Sequence, residues 1–449
     1  MKIVVIGGNP AGLSAASAIR RIHADWRIDV YEKDQYISYG SCGIPYYVAN
    51  EVKSLDNLIT LTREKMEQQR DIPVHLFHEV LKVNFKNKSV LIRDIKNDKE
   101  FKKEYDYLVI TTGGKAKELL NVEMNHPHIF KIHTLGHAKR LKTFLKENKV
   151  NSVVIIGAGY IGLEMLESYE AQGVNEVTII GPRLVFNSQS QNYIKEELEK
   201  HGVKVILQKR VKTIEPLSNN QLKVILKSGQ ELTADIVQVS IGVDPATDIF
   251  RGTDLAMLPN GAIITDEYMR TNIENVYAAG DCVASYHQIL EENVYIPLAP
   301  AANKQGRIAG VHISGNKVDP FPGVVGTSIF KVFDLYCGRT GISEKQAKRI
   351  GFRVQATHIE NNEIAHYYPG VKKMSILVIF DSKSHLLLGA EIIAPSPLGA
   401  KKIDVFATAL ADKMKIEDIQ KLDLSYAPPF APVWDPILIV ANVARKKCE

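Results

Sequence analysis

The chain has 449 residues, 45% of them hydrophobic and 24% charged, with a formal net charge of +5. That length predicts two to four domains with large cores. No apolar run reaches the ~18 residues of a membrane span, no basic tract is dense enough to track nucleic acid, and four scattered cysteines make no disulfide framework. A reducing, cytoplasmic setting is therefore expected, and a strand that begins at Lys2 leaves no room for a signal peptide.

Ile3-Val4-Val5-Ile6 reads as a strand. It runs into Gly7-Gly8-Asn9-Pro10-Ala11-Gly12 and then an apolar-periodic helix from Leu13 to about Arg21. A second strand, Ile28 to Tyr31, ends at Glu32. Ten residues later Cys42 stands in Ser38-Tyr39-Gly40-Ser41-Cys42-Gly43-Ile44-Pro45-Tyr46-Tyr47, with no second cysteine until Cys282. A helical stretch from about Leu58 to Arg70 and alternating strands between Val74 and Ile92 follow. The strand Tyr107 to Ile110 then enters Thr111-Thr112-Gly113-Gly114.

The opening pattern recurs about 150 residues on. Val153 to Ile156 leads into Gly157-Ala158-Gly159-Tyr160-Ile161-Gly162, a helix through about Ala171, and the strand Val177 to Ile180. Another strand ends at Gly242, and a third strand-to-glycine ending closes on Ala278-Ala279-Gly280-Asp281. From about Phe321 the chain reads as an α+β unit, with strands near 352–358, 375–380 and 386–393 and helices from about Lys401.

A glycine-rich turn that opens a helix turns backbone N–H groups and the positive helix end toward a pyrophosphate. The second copy is complete. The first has Asn9 at the middle glycine, a residue that tolerates a left-handed backbone. Two copies in the strand–turn–helix context indicate two dinucleotide-binding domains. Glu32 suits the ribose hydroxyls of an adenosine and repels a 2′-phosphate. The equivalent place in the second unit is Gly181, followed by Pro182 and Arg183, so that nucleotide is free to carry a 2′-phosphate, with Arg183 as a contact. Asp281 suits either a polyol hydroxyl or a helix N-cap. Cys448 lies beside Lys446 and Lys447, whose charge would lower its pKa.

These turns, Thr111-Thr112-Gly113, the Ala-Ala-Gly-Asp run and the third unit together resemble the FAD-dependent pyridine nucleotide–disulfide oxidoreductases over essentially the whole chain. The Cys42 segment resembles their single-cysteine branch, which holds coenzyme A-disulfide reductases, NAD(P)H oxidases, NADH peroxidases and persulfide or polysulfide reductases. The resemblance implies an α/β fold: two Rossmann-like, three-layer dinucleotide-binding domains plus a C-terminal α+β dimerisation domain. The FAD domain would take residues 1–118 and 246–320, the NAD(P)H domain 119–245 and the interface domain 321–449. FAD contacts are expected from Gly7, Asn9, Pro10, Ala11, Gly12, Glu32, Lys33, Ser41, Thr111, Thr112, Gly113, Gly280, Asp281, Pro297, Ala299 and Ala302. NADPH or NADH contacts are expected from Gly157, Gly159, Tyr160, Ile161, Gly162, Arg183 and Gly242, with Tyr160 as a movable cover.

Within the branch, Pro10 stands where peroxidases and water-forming oxidases carry a histidine. Asp423-Leu424-Ser425-Tyr426-Ala427-Pro428-Pro429-Phe430 and Ala365-His366-Tyr367-Tyr368-Pro369-Gly370 resemble segments of coenzyme A-disulfide reductases that supply tyrosines across a homodimer. Persulfide reductases with a fused sulfur-transfer domain are longer than this chain, which disfavours that type. The expected enzyme is thus an NAD(P)H-dependent flavoprotein that reduces coenzyme A disulfide through Cys42. Tyr426 with Tyr367 or Tyr368 would act as proton donor, and Arg20, Arg21, Ser38, Tyr39 and Arg63 would touch substrate. The alternatives are an NAD(P)H oxidase, a persulfide or polysulfide reductase and, outside catalysis, a flavin-bearing redox sensor. No metal, membrane or nucleic-acid partner is expected.

Overall fold

Two five-stranded parallel sheets carry the two glycine turns. A computed structural model describes residues 1–448. The first sheet has the order Val276–Ala278, Tyr107–Ile110, Lys2–Ile6, Arg27–Glu32, Val74–Leu76. The second has the order Lys204–Leu207, Glu176–Gly181, Ser152–Ile156, Ile236–Val239, Ile129–Lys131. Their central strands are runs of valine and isoleucine buried from the second residue on, as strands covered on both faces require. The two units superpose in register: Ile6 pairs with Tyr31 as Ile156 pairs with Ile180. The first sheet takes its edge strand, Val276–Ala278, from beyond the whole of the second.

The C-terminal unit is a five-stranded antiparallel sheet ordered Ser328–Val332, Leu335–Gly341, Leu387–Ala394, Lys373–Asp381, Val354–Asn362. Helices Ile403–Ala411 and Pro436–Arg445 bury Phe406, Leu410, Ile437 and Val440 in one core with Ile376, Val378, Phe380 and Ile392 of the sheet. Tyr367, Tyr368, Tyr426, Phe430, Val433 and Trp434 stay exposed on this unit. Large aromatic groups gathered in water mark an interaction surface.

Several boundaries differ from the sequence reading. The helix expected from Leu58 starts at Arg63, because Thr62 caps it by accepting the Lys65 amide, and a separate short turn fills Leu55–Leu58. Lys99–Glu104 is a strand although it alternates nothing apolar; it is the exposed edge of a small sheet with His78–Asn84 and Ser89–Asp94. Charged residues suit such an edge. No helix among the described residues is long and apolar enough to cross a membrane.

Candidate active site

Gly7 and Gly157 answer the same local demand. Each has positive φ, +107° and +114°, and a Cβ on either would lie 2.2 Å from a carbonyl oxygen, of Thr111 and of Ser240 respectively. Thr111 closes the first turn by donating its hydroxyl to Ile6 O at 2.8 Å and Gly7 O at 3.0 Å. Asn9 does not use a left-handed backbone, contrary to the sequence argument. Its φ is −94° and ψ −177°. A Cβ at the equivalent Gly159 meets no protein atom within 4 Å, so the middle position asks for open space, not special dihedrals. Pro10 starts the helix Pro10–Ile22, where its missing N–H costs nothing. Ala11 packs with Ala279 and Ala302 in one small apolar cluster, which sets Gly280 and the helix Ala299–Ile313 beside the first turn. The Gly280 amide also donates to Gln305 Oε1 at 2.9 Å.

Glu32 is buried. Its oxygens accept from Gly8 N at 2.8 Å and Asp34 N at 2.9 Å. Burial pushes its carboxyl up, against the pull of those two amides. Asp281 caps no helix; the next one begins at Ala299. Burial raises its carboxyl too, and no protein donor among the described residues bonds to it, although the Tyr295 hydroxyl donates to its backbone carbonyl at 3.0 Å. Two sequestered acids with spare acceptor capacity fit a ligand rich in hydroxyl donors, as the ribose and ribityl chain of FAD are.

Gly181 occupies the place of Glu32 and Ala158 that of Gly8, since Gly157 N bonds Ile180 O as Gly7 N bonds Tyr31 O. The side chain has moved from one partner to the other. A Cβ on Gly181 would sit 3.0 Å from Ala158 Cβ. Pro182 and Arg183 beyond it are exposed.

Cys42 lies in the short helical turn Ser41–Gly43 that leads into helix Ile44–Val48. Solvent reaches the residue. The surrounding protein nevertheless raises its thiol by desolvation, helped by the Glu164 carboxylate, while a hydrogen bond with the Ser41 side chain pulls it down. Glu164 is a site residue that the sequence reading passed over. It follows Tyr160 by four residues on the helix Tyr160–Ala171 and so shares its face. Burial and the neighbouring Glu167 push its carboxyl up to about 7. The spacing Tyr160 to Glu164 was the available signal. What places Glu164 beside Cys42 is tertiary: Ser168 Oγ donates to Pro45 O at 2.8 Å and Gln172 Nε2 to Val48 O at 2.6 Å, tying this helix to the cysteine helix.

Two aromatic segments 59 residues apart meet. The Tyr367 and Tyr426 hydroxyls are 3.1 Å apart, and Ala365 N donates to Pro428 O at 3.1 Å. The bond to Tyr367 holds the Tyr426 phenol above its usual value. Tyr368 is exposed beside them.

The remaining expected residues divide. Ser38 is buried with φ +43° and donates its amide to Gly8 O at 3.1 Å, while Tyr39 bridges to Ile59. Thr112, Gly113, Ile161 and Pro297 are half-buried, Gly162 is buried, and Lys33, Gly242 and Ala299 are exposed. Arg20 donates to Ala24 O, just past its own helix, and, at 2.9 Å, to Asp71 O at the end of the helix Arg63–Arg70. Arg63 pairs with Glu67 at 2.8 Å, and Arg21 is exposed. Cys448 does not have the lowered thiol expected from its lysine neighbours: it packs on the C-terminal core, and burial raises it.

Family models place this architecture. The pyridine nucleotide-disulphide oxidoreductase model matches residues 1–306, and the dimerisation domain of the same family matches residues 327–436. A relative from Pyrococcus furiosus described as an NAD(P)H sulfur oxidoreductase (CoA-dependent) is 36% identical over 99% of both chains. A coenzyme A disulfide reductase of Staphylococcus haemolyticus is 28% identical, again over 99% of each. Among solved structures, an NAD-dependent persulfide reductase from A. fulgidus superposes with a TM-score of 0.95 at 34% identity, over 100% of this chain and 83% of that one. With its turns, buried acids and placed cysteine, the chain belongs to the pyridine nucleotide-disulphide oxidoreductases and is an FAD-dependent NAD(P)H oxidoreductase.

Proposed function

We propose that this enzyme reduces coenzyme A disulfide, or a related low-molecular-weight disulfide, through Cys42 alone. The observation that carries the reading is the isolation of that sulfur. Cys42 is free and reached by solvent, Cys282 and Cys337 are fully buried, and Cys448 packs on the C-terminal core. The second sulfur of the exchange then comes from substrate. The domains follow the division 1–118 with 246–320, 119–245, and 321–449.

Bound FAD supplies hydride acceptance and two-electron delivery. Glu32 and Asp281 would anchor its hydroxyls, the first glycine turn would hold its pyrophosphate, and the second would hold that of NAD(P)H. A mixed disulfide between Cys42 and coenzyme A takes up two electrons and a proton, which frees one thiol and leaves a Cys42 thiolate. That thiolate attacks the next disulfide, releases the second thiolate and restores the mixed disulfide. Tyr426, paired with Tyr367 and held protonated at neutral pH, is placed to give the leaving sulfur its proton. In this reading the pair serves the site of a partner subunit in a homodimer. Glu164, titrating near neutrality, holds a proton close to Cys42 and limits the negative charge that faces the thiolate. Arg21 and Arg63, with heads in solvent, suit the coenzyme A phosphates. Gly181 leaves room for the 2′-phosphate of NADPH.

A second reading is reduction of a coenzyme A persulfide or polysulfide. It is favoured by the Pyrococcus relative, whose length this chain matches; chain length therefore does not separate the two. Intact-mass measurement of the purified protein tests the cysteine chemistry. An adduct of coenzyme A mass on Cys42, released by NADPH and absent from Cys42→Ser, is expected. A free Cys42 that never acquires the adduct from coenzyme A disulfide overturns the proposal. Turnover on polysulfide that needs added coenzyme A, with none on coenzyme A disulfide, selects the second reading.

A further inference from the structure

The helix Tyr160–Ala171 is held on the C-terminal strand Ser328–Val332 at two points. Near its middle, Glu167 accepts from the Phe333 amide at 2.6 Å and pairs with Lys331. At its first residue, the Tyr160 hydroxyl meets Ser328 Oγ at 2.7 Å. The Tyr160 ring also stands edge-on to Phe330, centroids 5.4 Å apart, and Phe330 packs on Phe186 at 5.8 Å. The backbone of the helix is thus pinned by Glu167, and movement of Tyr160 is a side-chain rotation that must break one hydrogen bond and leave one aromatic edge contact.

We propose that Ser328 is a latch on Tyr160: a positioning residue in the C-terminal unit that sets how often the nicotinamide site is open. The inference rests on the reading of Tyr160 as the cover of that site. A nucleotide that must displace a latched side chain binds with an apparent affinity reduced by the open fraction. One neutral hydrogen bond shifts such a balance by roughly 2–10-fold. The latch sits on a strand of the sheet that carries the dimerisation segment, so access of the electron donor is coupled to the placement of that unit.

The test uses the FAD-loaded enzyme and NADP⁺, which binds without turnover, followed by the change in flavin absorbance. Ser328→Ala and Tyr160→Phe each remove one side of the bond. Each is expected to tighten NADP⁺ binding by ~2–10-fold and lower the KM for NADPH by a similar factor, with kcat changing less. Because they break the same bond, the double variant should gain no more than either single. Ser328→Thr, which keeps the hydroxyl, should bind as wild type does. Thermal melts of these four and of Tyr160→Ala confirm folding. If Tyr160→Ala tightens binding while Ser328→Ala and Tyr160→Phe do not, the cover stands and the latch is wrong. If Tyr160→Ala also leaves NADP⁺ binding unchanged, the cover reading fails and takes the latch with it. Additive effects in the double variant overturn the latch as well.

Discussion

At the scale of single residues, the proposed mechanism gives Cys42 the sulfur exchange and Glu164 a proton beside it. Cys42→Ser is expected to abolish disulfide reduction, by ~10³-fold or more, while NADPH still bleaches the flavin at the wild-type rate, because a serine hydroxyl forms no mixed disulfide and takes no part in hydride transfer. Stopped-flow reduction beside steady-state turnover reads both quantities; retained disulfide reduction removes Cys42 from the mechanism. Glu164 makes stability depend on pH. Its folded-state acid constant lies above the ordinary 4.5, near 7. Its contribution to stability is therefore complete below about 4.5 and is lost as pH climbs through about 7. Glu164→Gln, which keeps the shape and cannot ionise, should be more stable than wild type by roughly 1–3 kcal/mol at pH 8.5 and by little at pH 5. Denaturant midpoints at the two pH values check this, and an offset independent of pH contradicts it.

At the scale of elements, the exchange of a side chain between Gly8/Glu32 and Ala158/Gly181 predicts how donor choice is built. Gly181→Glu alone pushes its Cβ against Ala158, 3.0 Å away, and should cost ~1–3 kcal/mol as an overpacked site does. Adding Ala158→Gly restores the arrangement in which Gly8 N donates to Glu32 at 2.8 Å. The double variant should regain stability and lose NADPH use at least tenfold relative to NADH through like-charge repulsion. Ratios of kcat/KM for the two nucleotides, with melting curves, decide it; an unchanged ratio removes Gly181 from donor selection. These turns were legible in the sequence because their demands are local: a strand end, a glycine, a helix start. The edge strand Lys99–Glu104 and the hairpin from Ser328 to Gly341 were missed because pairing partners, not periodicity, make them strands. Glu164 and Ser328 were missed for a related reason. Each acquires its meaning from an element distant in sequence, and neither is an unusual residue where it stands. Arg20 was legible only as a basic side chain; its bonds to the carbonyls of Ala24 and of Asp71 at the end of another helix come from the fold.

The whole molecule enters through the exposed aromatic surface of the C-terminal unit. If Tyr426 acts on a partner's site, two-fold symmetry gives each site one such segment. Tyr426→Phe should lower disulfide turnover by ~10²–10⁴-fold while sparing flavin reduction and dimerisation. Mixing it with Cys42→Ser and exchanging subunits should rebuild one working site per heterodimer, with Cys42 from one chain and Tyr426 from the other, and leave both defects in the second. Activity of the exchanged mixture no higher than that of the Tyr426→Phe parent, with heterodimers confirmed by native mass spectrometry, excludes action across the interface.

The edge strand Val276–Ala278 also bears on how the protein is born. The second sheet is contiguous in the chain and can close as soon as residues 129–239 have left the ribosome, whereas the first must wait for a strand and the helix Ala299–Ile313 made later. Domains fold as units during synthesis, so of the two nucleotide-binding units the one that emerges first is finished second. Until then its cofactor cradle lacks Asp281, and a nascent chain halted before that point should be competent for the nicotinamide nucleotide yet unable to retain the flavin.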